Sequence, residues 1–462
     1  MLSGIKRMRG LKEAVAAAML MAWCASAQTT QPAQISLSAA VDLAQRNDPR
    51  VRSAQADVER AKATLTEVRD AYVPTVSLAG GYGTSTGAPL SLPIVFSVSS
   101  QSLLFNFSQR DNLRAAASGL DAANLALEEM REKVAEDVAV TYLNLENAEQ
   151  REAAKKQAYG YATRLATIVN DRYEAGQDTR LDVLGAKQTA AQIHLDELHV
   201  EDEVSTLAEH LLLLIGLPGE HIETVPESIP ALPDLSSPSG DEGDSYGIRS
   251  AEANAKAKQE TAFGLGRYML RPQIGFGANY SRITTSHTSY TSYYPGFKGD
   301  PADPNSDNAL SVGIQIQIPL FDLGHLARAR EAEAEASRAR FEAADARKQF
   351  LEGRFKLRQS IAELNARIEL AGITQEYAQA QLDAILAQLT ATAGDPDRVQ
   401  MTPKDEQNAR LQERQRYVDL LNAQQEMTQV EVNLMRQTGQ LDGWIKAALA
   451  TPASVSPGVG KP

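Results

Sequence analysis

The sequence predicts a mainly α-helical protein that consists of two structural repeats and contributes strands to a membrane β-barrel. Small and apolar residues recur every three or four positions over long stretches, which indicates helices. Two runs of alternating polarity interrupt each half, which indicates one β-hairpin per repeat. Motifs also recur in order: "VRSAQADVERAK" (51–62) is similar to "IRSAEANAKAKQ" (248–259), and "LFNFS" (104–108) is similar to "LFDLG" (320–324). We therefore expect each repeat to hold long antiparallel helices and one hairpin.

Residues 1–27 are typical of a secretory signal peptide. Four basic residues and one acidic residue flank an apolar run that ends at a small-residue cleavage site. The one cysteine, Cys24, follows bulky Trp23, so we expect it to be removed with the leader rather than lipidated. The leader carries a net charge of +3, so the mature charge is expected to be −13 − 3 = −16. Such an acidic protein is a poor partner for nucleic acid.

Repeat 1 is expected over residues 28–217. Its predicted elements are a first helix over 38–71 capped by Ser38, a hairpin over 73–107, a long helix over 109–172 and a return helix over 181–216. Gly176 ends the long helix and Gly216 ends the return helix, because glycine readily takes the conformation that stops a helix.

A stretch rich in Pro, Ser, Gly and Asp (218–244) is expected to link the repeats. Repeat 2 (245–450) then follows the same order, with a first helix, a hairpin over 272–321, a long helix over 325–393 and a return helix over 405–449, before a flexible tail over 451–462. The return arms share one register, because Asp182 to Gly216 and Asp405 to Gly439 both span 34 residues. That register supports a true repeat.

The helix lengths predict how the helices pack. In each repeat, the first and return helices together are about as long as the single long helix, so the two short helices stack end to end beside it. The result is a rod about 95–105 Å tall. All hairpins lie at one end of this rod and the turns of the long helices lie at the other.

The predicted strands suit a membrane. Apolar residues alternate with small or polar ones, and the apolar set is Val76, Leu78, Ile274, Phe276, Val312, Ile314, Ile316 and Ile318. Four strands alone leave open edges that a bilayer does not tolerate, so copies of the chain must complete the barrel. A trimer would form a 12-stranded β-barrel that an α-helical barrel continues.

The order of these motifs resembles the TolC-like outer membrane efflux proteins over residues 35–445. The resemblance depends on "LSAAVDLAQRNDPRVRSAQADVERAKA" (37–63), "RYEAGQDTRLDVLGAKQ" (172–188) and "IPLFDLG" (318–324). It implies a homotrimeric channel in outer membrane lipid of a Gram-negative-type bacterium, extending into the periplasm. Such a channel gives passive exit, in a tripartite efflux or type I secretion system, to substrates that an inner-membrane pump delivers through a periplasmic adaptor (membrane fusion) protein.

The resemblance also implies site residues at the turns of the long helices. The adaptor contact would comprise Arg172, Tyr173, Ala175, Gly176 and Gln177 in the first turn and Gly394 in the second, and Asp182 and Asp405 would close the aperture. The residues themselves allow a second explanation for Asp182: it stands three positions after Thr179, where it can complete a capping box. The second turn departs from the family. Gly394 and Asp405 are 11 positions apart, whereas Gly176 and Asp182 are 6 positions apart, so the second turn has five additional residues.

Other functional classes find little support in the sequence. No two of the six histidines have metal-ligand spacing on a helix, and there is no P-loop or nucleophile elbow, so we expect no enzyme activity, cofactor or metal. The main alternative is a structural coiled-coil protein, either a periplasmic rod or a trimer, without transport activity. The alternation in "SVGIQIQIPL" (311–320) favours the channel. The transported substrate stays open, as do the pump and adaptor.

Overall fold

A computed structural model describes residues 33–81, 94–218, 222–233, 244–283, 308–391 and 402–450. The predicted signal peptide with Cys24, the predicted tail, Gly394 and much of the predicted linker lie outside the described residues.

Repeat 1 begins with two helices where the sequence predicted one. A short strand β1 (Ala33–Ile35) precedes α1 (Leu37–Asn47) and α2 (Pro49–Asp70). The prediction of one helix over 38–71 was wrong because Asp48 is extended and its side chain accepts a hydrogen bond from Arg50 N, which starts a new helix. The cap of the first helix was also wrong, since the side chain of Ser36 accepts from Ala39 N.

The rest of repeat 1 follows the predicted order of elements. It consists of β2 (Thr75–Gly80), β3 (Ile94–Phe105), α3 (Phe107–Glu174) and α4 (Arg180–Ile215). A strand β4 (Ile222–Thr224) and a 3₁₀ turn (Pro226–Ser228) come next, and β4 pairs in parallel with β1.

Repeat 2 has the same order with one further break. Its elements are α5 (Tyr246–Gly266), β5 (Gln273–Ile283), β6 (Asn308–Gln317), α6 (Leu323–Ala391), α7 (Pro403–Thr438) and α8 (Leu441–Ala450). The return helix predicted over 405–449 is therefore two helices. Gly439 separates them because it adopts φ 70, a left-handed conformation that stops a helix.

The two repeats use the same chemistry to start and end their helices. Asn106 Oδ1 accepts from Ser108 N at 2.8 Å and Asp322 Oδ1 accepts from His325 N at 2.9 Å, so the repeated motif after each hairpin supplies an N-terminal cap. Both return helices, α4 and α7, are 36 residues long, and each ends at a glycine with positive φ. These caps explain why the spacing from aspartate to glycine is conserved between the repeats.

Helix α3 lies at the centre of the protomer. It packs against α2 and α4 of its own repeat and against α5 and α7 of the other repeat. Helix α6 packs mainly against α5 and α7 within the described part of the chain. The short helices therefore stack in pairs beside the long ones, and α6 forms one edge of the protomer.

The hairpins form one antiparallel sheet in the order β2-β3-β5-β6. Leu78 pairs with Val98, Val98 with Tyr280, and Tyr280 with Leu310, so one face of the sheet is apolar. Ser77, Ser99, Asn279 and Ser311 lie in register on the other face. β2 and β6 are the open edges of this sheet.

A small layer made of β1, β4, α1 and α8 covers the middle of one face of α3. Tyr142 of α3 is fully buried beneath it. Its hydroxyl donates to Ile35 O at 2.9 Å and accepts from Val225 N at 2.7 Å, and therefore ties both short strands to the helix. Among the described helices, none combines the length and the apolar character needed to cross a membrane.

Candidate functional site at the helix turns

The site lies where α3 turns into α4 and where α7 begins, and we call these residues the tip (172–182 and 402–405). Ala175 N donates to Asp171 O, and Gln177 N donates to Arg172 O at 2.8 Å. Gly176 takes φ 75, as its predicted role as helix terminator requires. The turn is thus a short, hydrogen-bonded loop that projects Tyr173 and Gln177 outward, and 43% of Tyr173 is exposed.

Asp182 completes the capping box of α4. Its Oδ2 accepts from Thr179 N at 2.9 Å and from Thr179 Oγ1 at 2.6 Å, and Asp182 N donates to Thr179 Oγ1. These hydrogen bonds, led by that from the Thr179 hydroxyl, lower the pKa of Asp182, and the charge of Lys404 contributes. The capping explanation that the sequence left open is therefore confirmed, and the carboxylate is ionised at neutral pH.

Asp405 occupies the same position in repeat 2. Its Oδ2 accepts from Thr402 Oγ1 at 2.7 Å and from Thr402 N at 2.9 Å. The Thr402 side-chain hydrogen bond is the main reason that the pKa of Asp405 is lowered, with smaller contributions from the charges of Lys404 and Arg172. The two aspartates thus have the same local chemistry, although the sequences that precede them differ.

Asp178 joins the two repeats at the tip, and sequence reasoning missed this role. Its carboxylate pairs with Arg172 at 3.1 Å and with Lys404 at 3.5 Å, and only 9% of its side chain is exposed. Lys404 also lies 3.9 Å from Asp182 Oδ1. A lysine of repeat 2 therefore lies between two carboxylates of repeat 1. Partly buried pairs of this kind are less screened than surface pairs.

A small apolar cluster fixes the tip from below. Leu165 and Val169 of α3 pack with Val183 and Ala186 of α4, and Leu411 of α7 packs against them. Next to this cluster, Leu181 is 78% exposed and Leu184 is 55% exposed. The tip therefore combines a rigid base with an exposed apolar and charged surface, which suits contact with another protein better than chemistry on a substrate.

The predicted strand residues lie on the four-stranded sheet with one exception. Val76 and Leu78 lie on β2, Ile274 and Phe276 on β5, and Val312, Ile314 and Ile316 on β6. Ile318 lies beyond the end of β6, because the strand stops at Gln317 before Pro319. No group of His, Cys, Asp or Glu that could hold a metal occurs in the described ranges.

Comparisons with known proteins agree with this architecture. Residues 40–217 match the family model described as outer membrane efflux protein. The chain is 23% identical over 444 residues to the outer membrane efflux protein BepC of Brucella suis. The alignment covers 93% of this chain and 87% of BepC.

Solved structures share the fold. The outer membrane protein VceC of Vibrio cholerae has a TM-score of 0.69 at 18% identity, covering 87% of this chain and 96% of its own. The CmeC outer membrane channel of Campylobacter jejuni has a TM-score of 0.70 at 16% identity, covering 89% of each chain. The resemblance to TolC-like outer membrane efflux proteins is therefore confirmed, by the family model over repeat 1 and by the fold over most of the chain. Of these proteins, BepC is described as an efflux protein and CmeC as a channel.

Proposed function

We propose that this chain is the outer membrane channel of a tripartite efflux system. It gives passive exit to substrates that an inner-membrane pump delivers through a periplasmic adaptor. The observation that carries the proposal is that the protomer has two matching open edges. One consists of β2 with α2 and α4, and the other consists of β6 with α6.

The sheet supports placement in a membrane. Its apolar face is exposed in the single chain, with Leu78 at 74%, Leu310 at 72% and Ile314 at 67%. An open sheet with such a face is stable in lipid only when its edges pair. Three copies of the four-stranded sheet would give a closed barrel of twelve strands around a lumen lined by the serine and amide face.

The helices support the same closure. α4 exposes an apolar row with Leu184, Leu195 and Leu198, and α6 exposes Leu370 and Ile373. Leu198 stands 18 residues after the start of α4 and Ile373 stands 18 residues before the end of α6. At 1.5 Å per residue both lie about 27 Å above the tip, so the two rows can meet between neighbouring copies.

At the tip, the proposal assigns two roles. The first-turn residues Arg172, Tyr173, Ala175, Gly176 and Gln177, with Gly394 of the second turn, would contact the adaptor. Asp182 and Asp405 would close the aperture, held by their threonine caps and by Lys404. The ion pairs of Lys404 with Asp178 and Asp182 support this assignment.

A disulfide between the proposed neighbouring rows tests the assembly. We would replace Leu198 and Ile373 by cysteine in a chain in which Cys24 is serine, and separate the oxidised protein on a denaturing gel. The largest expected product is a covalent trimer, because in a closed ring of three copies every cysteine already has a partner. Each single-cysteine variant is the matched control and should stay monomeric. A ladder beyond trimer, or no crosslink at all, would contradict the proposal.

A further inference from the structure

A long groove separates α5 from α6 on one face of the protomer. It has a volume of about 1020 Å³ and begins at the end nearest the sheet, where Gly266 ends α5 and Leu326 lies in the first turn of α6. Small residues on both helices, among them Ala262 and Ala329, leave the space open. Two facing helices with larger residues there would close such a gap.

The groove is basic although the chain is acidic. Five cations line it (Lys256, Arg267, Arg330, Arg340 and Arg347) against two carboxylates, whereas the whole chain carries a net charge of −13. Arg347 is paired with Asp244 and Glu252, and Arg267 is paired with Asp111 while staying 48% exposed. Arg330 forms no ion pair with any other described residue. Positive charge near the sheet is therefore only partly neutralised.

The groove opens on the outside of the proposed barrel. Arg347 of the groove pairs at 3.3 Å with Asp244, which also lines a cavity together with Asp42 of α1 and Asp442 of α8. α1 and α8 form the layer that covers one face of α3. In a closed helical barrel this layer must lie outside, since inside it would obstruct the channel. The groove, on the same side, therefore faces the periplasm.

An apolar belt lies between the sheet and the groove. Leu320 is 72% exposed, Phe321 79%, Leu323 64% and Phe263, within the groove, 53%. Arg330 lies one helical turn beyond Leu326 on the same face of α6. Helical side chains lean toward the helix N-terminus, which for α6 is the end nearest the sheet, so we expect the Arg330 side chain to extend toward this belt. Apolar residues followed by cations are typical of a membrane surface.

We propose that the upper end of this groove binds the phosphate of an anionic phospholipid in the inner leaflet of the outer membrane. Arg267 and Arg330 bind the phosphate oxygens, and Phe263 and Leu326 contact the adjoining apolar part of the lipid. Guanidinium groups suit phosphate because they donate paired hydrogen bonds. The inference depends on the proposed function, because that function places the sheet in the membrane.

Native mass spectrometry of the detergent-solubilised full-length complex tests the site. Short-chain phosphatidylglycerol is the probe, and phosphatidylcholine of the same chain length is the neutral comparison. We expect tighter binding of phosphatidylglycerol, and Arg330→Gln should weaken it about fivefold, which is the effect of one surface cation on an anionic lipid. The matched control is Arg338→Gln, on the same helix and 79% exposed, where the side chain pairs with Glu342. This control should bind as the wild type does.

Three results would overturn the inference. The first is equal binding of both lipids, and the second is equal weakening of binding by Arg330→Gln and Arg338→Gln. The third is displacement of the lipid by inorganic phosphate at the same concentration, because that result would indicate a simple anion site. The Arg330→Gln protein should still conduct in a planar bilayer. If the wild-type protein does not insert into a bilayer at all, the proposed function fails instead.

Discussion

Helices α3 and α6 occupy equivalent places in the two repeats, but their surroundings differ. They have nearly the same length, at 68 and 69 residues. α3 is covered on both sides within the protomer, and Tyr142 and Val138 are fully buried. On α6, Phe341 is 71% exposed and Leu370 is 65% exposed. The same repeat has therefore given rise to an internal helix, α3, and to an edge helix, α6. We place the second partner of α6 in a neighbouring copy.

The largest effect is expected from charging the exposed edge of α6. The double variant Phe341→Asp, Leu370→Asp should abolish trimer formation while leaving helix content unchanged. Each side chain would lose about 2 kcal/mol of apolar burial in every interface, and an unpaired carboxylate would be buried besides. Light scattering and circular dichroism in the same detergent measure both. Loss of helix content in the double variant would mean that the edge already stabilises the single chain.

The core of α3 should respond in the opposite way. Tyr142→Ala should lower the free energy of unfolding of the protomer by about 3–5 kcal/mol, because it removes a fully buried ring and leaves a cavity. Tyr142→Phe should cost about 1–2 kcal/mol, since it keeps the ring and deletes only the hydrogen bonds of the hydroxyl, whose partners lie on Ile35, Val225 and Ser228. Denaturant unfolding followed by helix signal gives both values. Equal costs for the two variants would show that the ring contributes nothing to packing.

The half-buried carboxyl group of Glu132 on α3 should also make the stability of the fold depend on pH. Burial, followed by the charge of Glu129, raises the pKa of Glu132 from 4.5 to about 7. Arg436 of α7 opposes this shift, whereas Asp442 of α8 and Glu128 add to it. Because the folded state holds this proton more tightly, stability should fall as pH rises from 4.5 to about 7, by about 1 kcal/mol after allowance for solvent screening.

Unfolding midpoints at pH 5 and pH 8 measure the effect of Glu132. Glu132→Gln should remove this part of the difference. Asp182→Asn is a useful control, because the lowered pKa of that group places its own transition below pH 3.8. An unchanged pH profile in Glu132→Gln would mean that another carboxylate carries the transition.

The smallest structural effect, and the most local one, is expected at the tip. Asp182→Ala removes part of the N-terminal cap of α4, and Asp405→Ala removes part of the N-terminal cap of α7. Neither change should alter the mass of the assembly. Both should raise single-channel conductance severalfold if the aspartates close the aperture. Comparison of the two variants shows whether the two repeats contribute equally to closing the aperture. Unchanged conductance in both variants would leave only the capping role.

The sequence predicted best those features that depend on short-range chemistry. Gly176 and the Thr179–Asp182 pair follow from spacing alone, and the structure confirms the positive φ and the capping box. Asp48 and Pro49 are an equally local signal for a helix break, but the prediction of one helix over 38–71 followed the apolar pattern and did not use them. Gly439 was used to set the register, although its left-handed conformation also ends α7.

Long-range contacts could not be predicted in this way. Asp178 and Lys404 lie 226 residues apart in sequence, and Lys404 follows the inserted residues that make the second turn unlike the first. The layer of β1, β4, α1 and α8 was missed because two of its strands have only three residues each, too few to show a period. Both features arise from how the repeats pack on each other.

We have proposed that copies of this chain close a channel through a membrane. The most direct test is the single-channel conductance of the purified mature protein in a planar bilayer, with the oligomeric mass determined in the same detergent. We predict a trimer with a small conductance, because the proposed aperture residues Asp182 and Asp405 would hold the tip nearly closed. A monomer that never inserts would contradict it and would favour a structural periplasmic rod.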